Sequence, residues 1–292
     1  MANFNHSYSV GQKFCVLLIC VIAIVGVFFT ANTLNAKDLM KQAQSEGLRV
    51  AYYNMAPFAY VDNSGNVVGE DVEILRYVLK KMGAKVSSEK ATEWGNLIPG
   101  LKAGRFDVIA AGMFVNPKRC KEVAFSEPTF GIKQTLIVPK GNPKNLFSYK
   151  DILDSNSKFT AVTGTVQVDL AKSIGINEAN ISEFPDNSTA LAALRANRAD
   201  VFGIDAPSAR QIISNLPKKD MEMVQPFSTV GGKTVNPHGA FAFRKEVQDF
   251  VNEFNKVLTS FQQTDEYLNI FKAHGMEKDE LPKMKTSELC AE

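Results

Sequence analysis

One octapeptide pattern occurs twice in this chain. Leu101-Lys102-Ala103-Gly104-Arg105-Phe106-Asp107-Val108 is matched by Leu194-Arg195-Ala196-Asn197-Arg198-Ala199-Asp200-Val201. In each copy a helix ends at a residue that tolerates positive φ, Gly104 or Asn197, and the chain turns straight into a strand. Any helix-to-strand turn has some of this character. Six alike positions in eight nevertheless point to two lobes, each with its own α/β sheet. The pattern around the copies agrees. Leu48–Tyr53 is a β-rich run ending at a Pro-containing turn, and Asp107–Gly112 is an unbroken small-and-branched run of the kind buried in a parallel sheet. Val72, Leu75, Val78, Leu79 and Met82 recur at helical spacing before Gly83. Val247, Phe250, Val251, Phe254, Leu258 and Phe261 trace one face of a long helix, and a second helix through Tyr267, Leu268 and Phe271 stops at Gly275. Short strands alternating with such helices make an α/β fold, each lobe a mostly parallel sheet flanked by helices.

Two Pro/Gly breaks divide the chain. Residues 139–143 follow the strand pattern Thr135–Val138, and residues 231–239 precede the strand pattern Ala240–Phe243. They predict a discontinuous first lobe, residues 37–138 plus 238–292, and a second lobe, residues 139–237. Two crossings between lobes make a hinge, and the cleft between lobes is a natural ligand site.

At the N-terminus, Phe14–Phe29 runs sixteen residues without a charge, and Lys13 is the only Lys, Arg, Asp or Glu in the first thirty-six. A positive residue, an apolar run and a small residue at a plausible cut form a secretory leader over residues 1–36, cleaved after Ala36. The alternative is an uncleaved anchor, although sixteen helical residues rise only about 24 Å against a ~30 Å hydrocarbon core. Either way the rest of the chain is expected to be periplasmic or extracytoplasmic. That part keeps two cysteines, Cys120 and Cys290. In an exported chain they invite a disulfide, with two free thiols as the alternative.

Composition removes several functions. Lys+Arg 33 against Asp+Glu 31 leaves +2, with no basic run to hold nucleic acid. His6, His238 and His274 are dispersed, which leaves little material for a metal site. No GxxxxGK[ST] or GxGxxG phosphate loop occurs, and neither later histidine sits in a Ser or Cys nucleophile motif. A non-enzyme without cofactor is the expectation.

The string Trp94-Gly95-Asn96-Leu97-Ile98-Pro99-Gly100 leading into Leu101–Met113 resembles the solute-binding proteins of polar amino-acid ABC importers. So do Phe114-Val115-Asn116-Pro117-Lys118-Arg119 and Ala124-Phe125-Ser126-Glu127-Pro128, and the likeness spans residues 46–275. Within that family Trp94-Gly95, Phe114, Arg119-Cys120 and Leu289-Cys290 look most like the ectoine/hydroxyectoine-binding branch. The resemblance implies a two-lobed type II periplasmic-binding-protein fold, acting as a monomer that closes on a small zwitterion and hands it to membrane permease subunits. It also implies roles for residues. Arg119 in the Pro-x-Arg motif would hold a ligand carboxylate through two parallel charge-assisted bonds. Phe58, Trp94 and Phe114 align with an aromatic box around a cationic ring, though core packing is the ordinary fate of a phenylalanine. The loop Val162–Val166, through Thr165, would meet the carboxylate from the second lobe at a helix N-terminus. Asp205 resembles the aspartate that takes an α-ammonium group. Glu70 is a further candidate, with an ordinary acidic first-turn residue as its simpler reading. Met55 stands where the ectoine-binding branch has glutamate, which favours an amino acid over ectoine. The family also contains cyclohexadienyl dehydratases, so the fold alone does not exclude catalysis.

Overall fold

Two five-stranded sheets share one strand plan. The computed structural model describes residues 36–291 apart from 218, 219 and 236. The expected leader thus lies outside the described residues except for Ala36, where the helix Ala36–Ser45 begins.

In the first sheet the order across is Val86–Ala91, Leu48–Tyr52, Val108–Ile109, Ala242–Phe243 and Ala124–Phe125. The first three are parallel, and Ala242–Phe243 runs antiparallel to both its neighbours. The second sheet reads Ile181–Phe184, Phe159–Val162, Val201–Asp205, Gln134–Pro139 and Met221–Met223. Here too the first three are parallel and the fourth antiparallel to both neighbours. Apolar runs without a polar face explain the central strands: Val108, Ile109, Ala110 and Ala111 are completely buried, as a strand covered on both faces must be.

The repeated octapeptide enters the same place in each sheet, the third strand. Gly104 and Asn197 both take positive φ, 68° and 54°, and close their helices in the left-handed region. The aspartate of each copy does the same work. Asp107 accepts the backbone N–H of Arg49, at the start of the neighbouring strand, at 3.0 Å, and Asp200 accepts that of Lys158 at 2.8 Å. Buried Asp107 is further neutralised by the guanidinium groups of Arg49 and Arg244 at 2.8 and 3.2 Å.

One expected boundary moves. The strand Gln134–Pro139 pairs with Val201–Asp205 and Met221–Met223 and so belongs to the second sheet, not to a first lobe ending at 138. The Pro139–Pro143 break is the turn at the end of that strand. The chain crosses earlier, where Phe130–Gly131 pairs antiparallel with His238–Gly239. The two crossing strands therefore lie side by side. At Gly239 a Cβ would fall 2.0 Å from the Phe130 ring, so the close approach of the crossings requires glycine there.

The long helix Gln248–Phe261 packs Phe250, Val251, Phe254, Leu258 and Phe261 inward, as its periodicity predicts. Cys120 and Cys290 are bridged, with Cα atoms 5.8 Å apart, which fastens the final helix Thr286–Ala291 to the segment after Arg119. Before reaching that anchor the tail passes the second sheet's helix Ala206–Ser214, where Arg210 Nη2 bonds both carboxylate oxygens of Glu280 at 2.8 and 2.7 Å.

Candidate ligand cleft

The carboxyl ends of the two sheets' parallel strands face one cleft. From the first sheet come Tyr53, Met55, Trp94, Gly112 and Phe114. Val162, Thr165, Val166, Gln167, Asn187 and Phe202–Asp205 come from the second. Ligands of open α/β sheets bind at this end, because the loops there are free of the sheet's own hydrogen-bond ladder.

Trp94 opens a single helical turn, Trp94–Asn96, after the strand Val86–Ala91. It is 7% exposed, and its indole N–H donates to the carbonyl of Gly164 at 3.0 Å, reaching the opposite wall. Phe114, also 7% exposed, follows the third strand and packs edge-on to Phe130 with ring centroids 6.2 Å apart. These two expected aromatics do line the cleft.

Phe58 does not. It is fully buried, stacked on Phe130 at 4.5 Å behind Gly112, where any Cβ would meet its ring at 2.8 Å. The third aromatic on the wall is instead Tyr53, the residue after Leu48–Tyr52, whose ring stands edge-on to Trp94 at 5.7 Å. The period-2 alternation of a strand end decides which aromatic faces the cleft, and the Pro57 turn takes Phe58 out of that alternation.

Arg119 sits beside the cleft under Trp94, its guanidinium 5.3 Å from the indole ring. The short helix Pro117–Cys120 holds it, with the Asn116 side chain capping the Arg119 N–H at 2.8 Å. Nη1 donates to the Phe114 carbonyl at 2.8 Å and Nη2 to the Gly164 carbonyl at 3.3 Å. Burial lowers its pKa to about 10, still high enough to keep it charged at neutral pH. The guanidinium thus ties Phe114 and the Gly164 loop to one cation and keeps further N–H donors for an anion.

On the opposite wall Asp205 ends the strand Val201–Asp205 and caps the helix Ala206–Ser214, accepting the Ser208 N–H at 2.9 Å. It is 3% exposed, and burial pushes its carboxyl up to about 6. Its mismatch is the cost of facing an apolar cleft. A cationic group brought alongside would remove it. Thr165 caps the helix Val166–Ser173 without a side-chain bond to it, and its hydroxyl donates to the Val162 carbonyl at 2.7 Å. The first N–H groups of that helix remain the available donors.

Glu70 lies elsewhere. It is fully buried in the first turn of Glu70–Lys81, and no donor reaches its oxygens. Burial first, and the adjacent Asp71 charge second, push its carboxyl well above the usual carboxylate range. Burial raises the Asp71 carboxyl too, but the Gly112 N–H at 2.6 Å and the Thr129 hydroxyl at 3.2 Å, both of which it accepts, favour its charged form. The pair supports the Gly112 turn behind the cleft and offers nothing to a ligand.

Sequence reasoning missed Tyr53, Gln167 and Asn187. Gln167 lines the cleft and donates to Gln134 at 2.8 Å. A usable signal was position: each of the three stands one to three residues beyond the carboxyl end of a parallel strand or at the helix that follows. His238 and His274 are both off the cleft, His238 against Lys283 at the crossing strands and His274 against Glu73.

Known proteins resemble this chain in sequence and in fold. The chain is 33% identical over 278 residues to a probable amino-acid ABC transporter periplasmic-binding protein of Sinorhizobium fredii, covering 93% of this chain and 92% of that one. Among solved structures, EhuB in complex with hydroxyectoine superposes with a TM-score of 0.78 at 30% identity, over 88% of this chain and 98% of that one. An ancestral arginine-binding protein bound to arginine gives a TM-score of 0.68 at 27% identity, over 78% and 97%. The model of the bacterial extracellular solute-binding proteins, family 3, matches residues 48–277, and this chain belongs to that family.

Proposed function

We propose that this solute-binding protein captures a small zwitterion of the ectoine/hydroxyectoine class in the cleft and delivers it, by closure about the crossing strands, to the permease of an ABC importer. The observation that carries the reading is the composition of the two walls. One wall presents Tyr53, Trp94 and Phe114 with the Arg119 cation behind them; the other presents Asp205 and the Thr165 helix N-terminus. Aromatic faces attract a shielded or delocalised cation by about 0.5–2 kcal/mol each, most in a dry cleft. Arg119 and the helix N–H groups suit the carboxylate of the same molecule. The likeness to the hydroxyectoine-bound protein supports this choice.

A second reading, a polar or basic amino acid, is favoured by one specific observation. The acidic group on the wall is Asp205, and the neutral Met55 lines the same cleft. An α-ammonium group would pair with Asp205 and leave the aromatics as packing.

The function proposed is transport, not catalysis. Export rests on the Lys13 and Phe14–Phe29 pattern, with cleavage after Ala36 and a monomeric mature protein in the periplasm. A thermal-shift panel of ectoine, hydroxyectoine and the amino acids tests the reading: saturable stabilisation by one compound, unchanged on recovery, supports a binder. Conversion of the compound into product would make the chain an enzyme.

A further inference from the structure

Tyr53 does more than complete the aromatic wall. Its phenol oxygen accepts the backbone N–H of Asn187 at 3.2 Å, and Asn187 opens the helix Asn187–Arg195 on the opposite wall. That N–H belongs to the first turn of a helix, where no intrahelical carbonyl is available to it. Asp186, the cap of this helix, takes the Thr189 N–H at 2.7 Å instead. Tyr53 is 5% exposed and lines both the cleft and a neighbouring hollow, the latter with Asn54, Thr92, Pro185 and Ser188. It stands between the two, with its ring edge-on to Trp94.

We propose that Tyr53 is a positioning residue that couples closure to the aromatic wall: its hydroxyl takes the Asn187 N–H only when the two walls meet, and in doing so fixes the Trp94 ring against the ligand. The proposal rests on the cleft being the ligand site. Desolvation raises the phenol to about 12, so it is a neutral acceptor throughout the physiological range and its contact is independent of pH. A single neutral hydrogen bond of this kind is worth about 2- to 10-fold in an equilibrium. Because the bond exists only across the closed cleft, that factor falls on ligand release.

The donor can be deleted without touching the tyrosine. Asn187 is the first residue of its helix, where proline is well accepted because its missing N–H is not part of the helix ladder. Asn187→Pro is compared with Asn187→Ala, which loses the same side chain and keeps the N–H. Release of ectoine and of L-arginine is measured by stopped flow in the wild-type and Tyr53→Phe backgrounds. The expected result is that Asn187→Pro releases ligand about 2- to 10-fold faster than Asn187→Ala when Tyr53 is present, and at the same rate when Phe replaces it. Equal ratios in the two backgrounds would overturn the proposal. If neither probe binds the wild type, the ligand reading fails, and the contact is read from exchange of the Asn187 amide hydrogen. Slower exchange in the wild type than in Tyr53→Phe then supports the coupling, and equal exchange overturns it.

Discussion

Asp205→Asn should stabilise the ligand-free protein while destroying its capacity to hold a cation. The carboxyl is 3% exposed, and burial holds it near 6 rather than 3.8. The sign follows from proton binding: between those values the folded state holds the proton more tightly than the unfolded chain, so stability falls as pH rises through the window. Above pH 7 the full mismatch of about two pH units amounts to about 3 kcal/mol. Asparagine keeps the helix cap, since its side-chain oxygen accepts the Ser208 N–H as well as the carboxylate does. The gain should therefore be about 1–3 kcal/mol at pH 8 and only about 0.2 kcal/mol at pH 3.5, where wild-type Asp205 is protonated when folded and mostly so when unfolded. Urea midpoints at the two pH values, with slopes compared, provide the assay. A loss of stability at pH 8 would show that the charged carboxylate is compensated in the free protein, and the reasoning that its partner is a ligand would fall.

Four further outcomes are expected. Phe58→Leu should cost about 1 kcal/mol of stability and leave affinity within about twofold, whereas Phe114→Leu should weaken an ectoine-class ligand by about 3- to 30-fold, as parallel calorimetry and melting would read. Glu70→Gln should keep the fold and remove part of the decline in stability between pH 5 and pH 8, since the native carboxyl is held protonated; urea midpoints across that range check it. Cys290→Ser, which opens a loop of sequence separation 170, should cost about 2–5 kcal/mol, and dithiothreitol should then lower the wild-type midpoint but not that of the variant. Intact-mass analysis of the exported protein should give a start at Lys37.

Much of the fold was legible because it rests on local chemistry. The two octapeptides marked equivalent strands, and their helix ends required a residue tolerant of positive φ, which Gly104 and Asn197 supply. The helices Glu70–Lys81, Gln248–Phe261 and Asp265–Ala273 follow their apolar periodicity. The strand Gln134–Pro139 was legible as a strand but not as a member of the second sheet. A largely apolar run records burial, while its partners lie 60 and more residues away. A Pro/Gly break after such a run reads equally as a linker or as a turn within a lobe.

The site was legible where a motif fixes the backbone. Trp94 and Phe114 lie on the cleft wall, and Asn116 caps the turn that carries Arg119. It was illegible where side-chain direction depends on one step along the chain. Tyr53 and Phe58 are five residues apart on the same loop, and only the geometry of the Pro57 turn sends one to the cleft and the other behind Gly112. Glu70 carries the letters of a ligand-binding acid, but its place in a buried first turn makes it a neutral neighbour of Asp71.

The central claim is that an aromatic wall and a facing carboxylate select a zwitterion with a shielded cation. It is tested most directly by calorimetric titration of ligand-stripped wild type and Trp94→Ala with ectoine, hydroxyectoine and the amino acids. The account predicts saturable heat from an ectoine in the wild type, and a Trp94→Ala loss for that ligand larger than for any amino acid, at least about tenfold. No heat from either ectoine, with micromolar binding of an amino acid that Trp94→Ala leaves intact, would contradict it.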